Sequence, residues 1–415
     1  MSIQVTLCLV AFSFRLIGGK LVQDAAENHP IVVTEGERKA SVARAASLKP
    51  GDLPALLDKA EKGDLESQIL LGRAYLGAKG TAQDYSKAAK WLQKAADRGH
   101  PSAQTILGTM YMSGQGVDKD AGAAVFWFRK AAMQHYAAGE GSLGWAYCLG
   151  EGVPQNSDEA ITRLLNAAEK ENALAQVRLG YAYRDGKCAK KNELMAVEWF
   201  RKAAAQDDAL GQRLLAEMYM SGSGVPQDHA EAVRWYEKAA RAGDALSQFN
   251  VGWAYYTGDG LKKDKDLAEK WFSQSSDNGR GQASYYIAAM YWKGEAGHTS
   301  FASLVATDHF AKAAEQRFPP GALALGDIHS SLWKSAHGRV PRDTVTACAW
   351  YMIADELDRK SGWDKEFSQM AAEFKNELIG KLSSIQKKLK PEEASACQVR
   401  KKAWVKAHSS SFVVG

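Results

Sequence analysis

Hydrophobic positions along this chain recur three and four residues apart within short segments, and the segments themselves recur every 36 residues. Seven tyrosines keep the longer period without a slip: Tyr75, Tyr111, Tyr147, Tyr183, Tyr219, Tyr255 and Tyr291. Glycines hold the same register at Gly72, Gly108, Gly144, Gly180 and Gly252. Tryptophans hold it at Trp91, Trp127, Trp199, Trp235 and Trp271, each followed by a bulky residue such as Leu92 or Phe128. Between the two apolar segments lie paired glycines, as at Gly114 and Gly116, Gly150 and Gly152, Gly222 and Gly224, and Gly258 and Gly260. A fixed period of this size means that one supersecondary unit, unable to bury its own apolar face, is stacked repeatedly. The pattern predicts two short helices per unit.

The second unit shows why. Helix A is expected over Ala103 to Met112, which puts Leu107 and Tyr111 on one face and leaves Gly108 as a point of close approach. Ser113 to Val117 supplies residues free to take positive backbone angles, so it ends helix A. Helix B is expected from Ala121, with Ala124, Trp127 and Ala131 inward, and truncating such a tryptophan to alanine costs about 3 to 5 kcal/mol. Gly99, Gly243 and Gly279 are expected to terminate helix B.

Leu107-Gly108, Tyr111, Gly114, Gly116-Val117 and Trp127-Phe128 with Lys130-Ala131-Ala132 carry a likeness: the chain resembles the Sel1-like repeat family over residues 53–355. The neighbouring tetratricopeptide repeat has a period of about 34 residues and lacks the two-glycine loop. The resemblance implies an all-α, right-handed α-solenoid of about eight two-helix repeats with a helical C-terminal cap. It also implies a protein–protein interaction role, as for scaffolds in bacterial envelope assembly, signalling and host interaction and in eukaryotic protein quality control.

Departures from the pattern place the atypical units. Arg163 stands in the tryptophan slot of the third repeat and Ala216 in the glycine slot of the fifth. After Tyr291, residues Glu295 to Ser303 replace the tight loop, the alanine pair returns two residues late at Ala313 and Ala314, and Gly321 to Ala354 forms a longer unit. Residues Trp363 to Trp404, with Phe367, Met370, Phe374, Leu378 and Leu382, are expected to form the cap. The expected division is an N-terminal extension (1–50), the repeat array (51–355), capping helices (356–405) and a tail (406–415).

Composition fits a packed helical scaffold, with 46% hydrophobic and 24% charged residues, and offers no stretch long enough for a transmembrane span. A net charge of +5 over 415 residues demands no acidic partner. Lys387, Lys388, Lys390, Arg400, Lys401 and Lys402 cluster near the C-terminus, but no aromatic platform or nucleic-acid module accompanies them, so no nucleic-acid partner is expected. Val5 to Phe14 is an apolar stretch of signal-peptide length without a preceding basic residue. It leaves two locations open: bacterial periplasm or secretion if it is an export signal, the cytoplasm otherwise. The five cysteines, Cys8, Cys148, Cys188, Cys348 and Cys397, lack metal-ligand spacing, and no metal or other cofactor is expected. Some secreted relatives carry a cysteine pair in every repeat; this chain has no such ladder, though Cys348 and Cys397 could meet if the cap folds back.

Motifs that suggest chemistry dissolve into the repeat. Gly139 to Gly144 spells G-x-G-x-x-G but opens an expected helix A, where a dinucleotide site needs a preceding strand. Gly180 to Lys187 resembles a phosphate loop with Cys188 in place of the required Ser or Thr. Ser331 to Lys334 fits S-x-x-K without its companion S-D-N and K-T-G elements. No catalytic residue is therefore assigned. A cell-wall-associated hydrolase or penicillin-binding activity is kept as the alternative function.

The favoured reading is a non-enzymatic adaptor, with the surface of helix A as its groove. Positions aligned with Ile69, Arg73 and Leu76 lie at i, i+4 and i+7, one stripe of helix A. In later repeats the stripe holds Trp145, Tyr181, Arg184, Arg213, Phe249, Trp253, Tyr256, Tyr285 and Trp292. Aromatics and arginines are the types enriched in binding hot spots, and large aromatics on short helices also pack between repeats.

Overall fold

The computed structural model describes residues 48–77, 82–296, 301–330, 342–360 and 368–408. The apolar Val5 to Phe14 stretch, Ser331 to Lys334, Trp363, Phe367 and residues 409–415 lie outside them, as does the side chain of Met370. The described residues contain nineteen α-helices and no strand. After α1 (Leu53–Glu61) the helices alternate between type A and type B. The pairs are α2 (Leu65–Tyr75) with α3 (Tyr85–Asp97), α4 (Pro101–Ser113) with α5 (Ala121–Ala132), α6 (Ala137–Leu149) with α7 (Ser157–Glu169), and α8 (Ala173–Asp185) with α9 (Glu193–Ala205). They continue as α10 (Ala209–Ser221) with α11 (His229–Arg241), α12 (Ala245–Thr257) with α13 (Lys265–Asp277), α14 (Gly281–Trp292) with α15 (Ala302–Glu315), and α16 (Pro319–His329) with α17 (Thr344–Lys360). These are the eight expected helix pairs. Two further helices, α18 (Ser368–Gln386) and α19 (Pro391–Ala407), complete the C-terminal end.

Helix length is set by capping chemistry that recurs with the period. Every type B helix from α3 to α13 begins at a residue with a short polar side chain: Asp84, Asp120, Asn156, Asn192, Asp228 and Asp264. Each side-chain oxygen accepts from the backbone N–H three residues on, at 2.9–3.1 Å, satisfying a donor that the first turn leaves open. The backbone N–H of the same cap residue donates to the carbonyl of the repeat tyrosine at 2.8–3.0 Å, from Tyr75 through Tyr255. The tyrosine register and the cap register are thus one hydrogen-bonded joint.

Type A helices end where the glycine pairs predict. Gly114 takes φ 74° and donates to Met110, and Gly116, at φ 73°, lets its loop reach the preceding repeat. A Cβ on Gly116 would sit 2.2 Å from the carbonyl oxygen of Tyr85, so only glycine fits there. Type B helices also end in the left-handed region, at Gly99, Gly243 and Gly279 as expected, and equally at His135, Glu171 and Asp207 in the same register. A neighbouring peptide register therefore imposes the backbone angle even where the residue resists it.

The described residues fall into two compact units, divided between Ala239 and Ala240. In the unit 48–239 the core is a series of clusters, one handing over to the next: Leu92 and Leu107 near its start, Phe128 and Leu143 beyond, then Leu164 and Trp199. Gly108 lies against the Phe128 ring and Gly180 against Phe200, the side-chain-free points through which helices A and B of one repeat approach. In the unit 240–408 a continuous core runs from Phe249 and Phe272 through Tyr285, Phe310 and Leu325 to Tyr351, Phe374 and Leu378.

Candidate functional site

In the unit 48–239, the stripe of helix A becomes a charged cluster. Arg184, one residue before the end of α8, lays its guanidinium over the Tyr181 ring, 4.7 Å from the centroid. Its Nε and Nη2 donate to the two oxygens of Asp185 at 2.7 and 3.3 Å, and Nη1 lies 3.9 Å from Glu217 on α10. Arg213, one turn before Glu217, donates to its other oxygen at 2.8 Å. Two arginines and two carboxylates balance, which is how buried charge survives. Burial pushes the Tyr181 hydroxyl well above the ordinary tyrosine range, and the Glu217 carboxylate adds to the shift. That hydroxyl finds no hydrogen-bond partner among the described residues. Trp145 on α6 is half-buried against Leu164 and Ala167.

In the unit 240–408, the same register is aromatic. Phe249 and Trp253 on α12 stack with centroids 6.5 Å apart, and Tyr286 meets Trp253 edge-on at 5.0 Å. Tyr285 is fully buried between Phe310 and Phe318, and Trp292 is buried in the same core cluster. Tyr256 is half-buried; its hydroxyl donates to Glu295 at 2.8 Å, and Lys265 pairs with the other oxygen of Glu295 at 3.3 Å. Burial raises the Tyr256 hydroxyl, and the Glu295 carboxylate raises it further. Of the nine stripe residues, Trp145 and Tyr256 keep partly exposed rings; Tyr181, Arg184, Arg213, Phe249, Trp253, Tyr285 and Trp292 are buried.

The structure also orders residues that the stripe does not contain. Gln68, Gln104, Gln176, Gln212 and Gln248 occupy one helix A position, and each side-chain amide donates to the carbonyl eight residues earlier, at the end of the preceding helix. Three of these side chains also accept from an amide 30 residues on: Gln104 from Gln134 at 2.9 Å, Gln176 from Gln206 and Gln248 from Asn278 at 2.8 Å. The signal was present as a 36-residue recurrence of glutamine. At the C-terminal end, Asp327 is fully buried, accepting from the Tyr351 hydroxyl at 2.8 Å and from Lys381 of α18 at 2.6 Å. Burial raises the Asp327 carboxyl, against the pull of Lys381. No periodicity marks Lys381, so this contact had no sequence signal.

Gly139 to Gly144 lies inside α6, where a Cβ on Gly139 would sit 2.5 Å from that of Ala131: these glycines serve helix packing. No group of histidine, cysteine and acidic residues among the described residues has metal-site geometry, and no helix there is long and apolar enough to cross a membrane. The Sel1 repeat profile matches seven segments, 65–100, 101–136, 139–170, 173–208, 209–244, 245–279 and 320–354.

The chain belongs to the Sel1 repeat family. The Sel1 match is shortest over the third repeat, which carries Arg163, and skips α14 and α15, where the loop is replaced. No curated protein matches the chain. Among solved structures, it is similar to a protective antigen of uropathogenic Escherichia coli with an SLR fold, at 25% identity, covering 87% of this chain and 88% of that one, TM-score 0.42. A Sel1 repeat protein from Oxalobacter formigenes is 30% identical over 55% of this chain and 93% of its own, TM-score 0.48. An immunity protein from Pseudomonas aeruginosa is 19% identical over 48% of this chain and 74% of its own, TM-score 0.33.

Proposed function

We propose that this Sel1 repeat protein is a non-enzymatic scaffold that holds a protein or peptide partner on the helix A surface of its repeats. The observation that carries the reading is a division of labour within helix A. Positions that repeat, namely the tyrosine carbonyl, the glycine slot and the glutamine, are consumed by packing and hydrogen bonding inside the stack. Among the positions that differ between repeats, Tyr181, Arg184 and Arg213 are buried in a balanced ion cluster, whereas Trp145 and Tyr256 keep exposed ring surface of the kind used in recognition. Trp145 and Tyr256 are the ring-bearing residues of the stripe with partly exposed surface, and they are the anchors on this reading.

The test is affinity capture with the wild type beside a Trp145→Ala, Tyr256→Ala variant, both shown by circular dichroism to be equally helical. A partner retained by the wild type and lost by the variant supports the scaffold. Identical retention of every partner by the folded variant refutes the helix A surface as the binding face.

A further inference from the structure

Four of the five cysteines pair in two bonds, Cys148–Cys188 and Cys348–Cys397; the first joins neighbouring repeats and the second joins the last repeat to the cap. Cys148 lies near the end of α6. Cys188 stands where the neighbouring repeats carry their second turn glycine, Gly152 and Gly224. Where those glycines let a loop touch the preceding repeat, this loop is bonded to it. The Cα atoms are 5.3 Å apart in this pair and 5.9 Å in the other, the usual disulfide range. The second bond joins α17 to α19, and here the surroundings give it a larger role.

Cys397 is the buried side chain of α19. Around it, Trp404 is half-buried against the core cluster and charged side chains form ion pairs. Arg400 pairs with Asp343 at 3.0 Å and Lys401 with Glu356 at 2.9 Å, His408 approaches Glu315 at 3.6 Å, and Trp404 meets Trp350 edge-on at 6.0 Å. The Arg400–Asp343 pair is exposed and holds the helix weakly, while Lys401–Glu356 is largely sheltered. By contrast α18, which carries no cysteine, buries Ala371, Phe374, Leu378 and Ile385. One capping helix is therefore held by four buried apolar side chains, and the other has its one fully buried side chain in a disulfide, with Trp404 half-buried beside the core.

We propose that α19 is a strap anchored on the last repeat by Cys348–Cys397, and that the native protein is the product of a thiol-oxidising reaction that closes this bond. Each bond forms when two cysteine thiols lose two protons and two electrons; a dithiol oxidase in its disulfide form accepts the electrons through a mixed disulfide and leaves as the dithiol. Such a reaction operates in an oxidising compartment, and there the four cysteines remain paired. Without the bond α19 detaches from α17 and uncovers the flank bearing Trp350 and Met352, while the repeats and α18 stay folded.

The experiment uses the full chain expressed in an oxidising compartment, alkylated with iodoacetamide before any reductant and mapped by mass spectrometry. Peptides linking Cys148 to Cys188 and Cys348 to Cys397 are expected; carboxamidomethyl groups on those four residues would overturn the proposal. Limited trypsin digestion then compares the wild type with a Cys348→Ser, Cys397→Ser variant and a Cys148→Ser, Cys188→Ser variant. Cleavage at Arg400 to Lys402 should rise about tenfold in the first and stay unchanged in the second, since a weakly held helix opens locally. Equal protection of α19 in all three overturns the strap. Should a variant fail to fold, hydrogen exchange of the wild type before and after reductant decides: selective loss of protection in α19 supports the anchor, and unchanged or uniform protection refutes it.

Discussion

The regular repeats α2 to α11 and the end formed by α16 to α19 solve the same problem, joining one helical layer to the next, by different means. In the repeats one joint recurs, with Glu140 in the glutamine position and Cys188 in a turn-glycine position as exceptions. A tyrosine carbonyl meets a cap N–H, a glutamine reaches back to the preceding helix, and a glycine admits the neighbouring loop. At the end the contacts follow no period: a fully buried Asp327 between Tyr351 and Lys381, the second of the two disulfides under α19, and ion pairs from Asp343 and Glu356. The difference teaches that a stack becomes cheap to specify where chemistry is periodic. Terminating the stack requires particular residues, because there is no further repeat to receive the last one.

The sharpest way to break this comparison is to remove one partner from each kind of joint. Lys381→Met leaves Asp327 buried without its cation and should cost about 3 to 5 kcal/mol in urea unfolding, whereas adding Asp327→Leu to it should restore most of that loss. Phe200→Ala, under Gly180 in a regular repeat, should cost a comparable 3 to 5 kcal/mol or about that, through a cavity instead of a charge, with no second substitution of a polar residue restoring it. If Lys381→Met is harmless, the end is held like the repeats and the contrast fails.

Smaller effects sharpen it. Asn192→Ala removes a cap that donates nothing to the core and should cost about 1 kcal/mol, measured as a shift of the denaturation midpoint, with a similar cost for Asp120→Ala because the two joints are copies. Acid separates the regions in another way. Partial burial acts to raise the Asp343 carboxyl, but hydrogen bonds from Thr346 and Arg400 hold it at about 2, below its ordinary 3.8. A depressed carboxyl stabilises above its ordinary range and loses that contribution as pH falls through the folded value. Glu356, held down by Lys360 and Lys401, acts in the same sense. Hydrogen exchange followed from pH 4 down to about 2 should therefore show α19 loosening before α4 to α9. The smallest expected effect is a gain: Glu171→Gly, at φ 57°, relieves a left-handed non-glycine residue and should raise stability by about 0.5 kcal/mol. A loss there would mean that the Glu171 side chain contributes more than its backbone costs.

What the sequence revealed follows the same division. Tyr75 through Tyr291, the glycine pairs and Trp127 predicted the helix pairs, because a position repeated at fixed spacing reports one environment many times. Helix A of the second repeat was expected at Ala103 and begins at Pro101; its proline at the first turn and His100 cap extend it by two residues. The left-handed His135, Glu171 and Asp207 were illegible, since each hides a glycine position behind an ordinary side chain. Of the two disulfides, Cys348–Cys397 was conceivable from its place on a late helix and the cap, while Cys148–Cys188 required knowing that a turn position of one repeat touches the helix end of the previous one. The stripe was legible as a register but not as a surface. Whether Tyr285 faces outward or into Phe310 depends on where helix B of the same repeat lies, and the spacing of helix A alone carries no information about it.

The glutamine rungs bear on how such a molecule changes length. Because Gln104 takes its acceptor from Ala96 and offers its own oxygen to Gln134, a segment of 36 residues contains one complete rung together with the half-rungs needed on either side. Duplicating residues 101–136 in a single genetic event would set a second Gln104 against Ala132, the position 36 residues after Ala96, and so repeat the glutamine joint at the new seam. The array can thus grow by a whole module without inventing an interface, and the number of repeats is freer to vary than the content of any one of them.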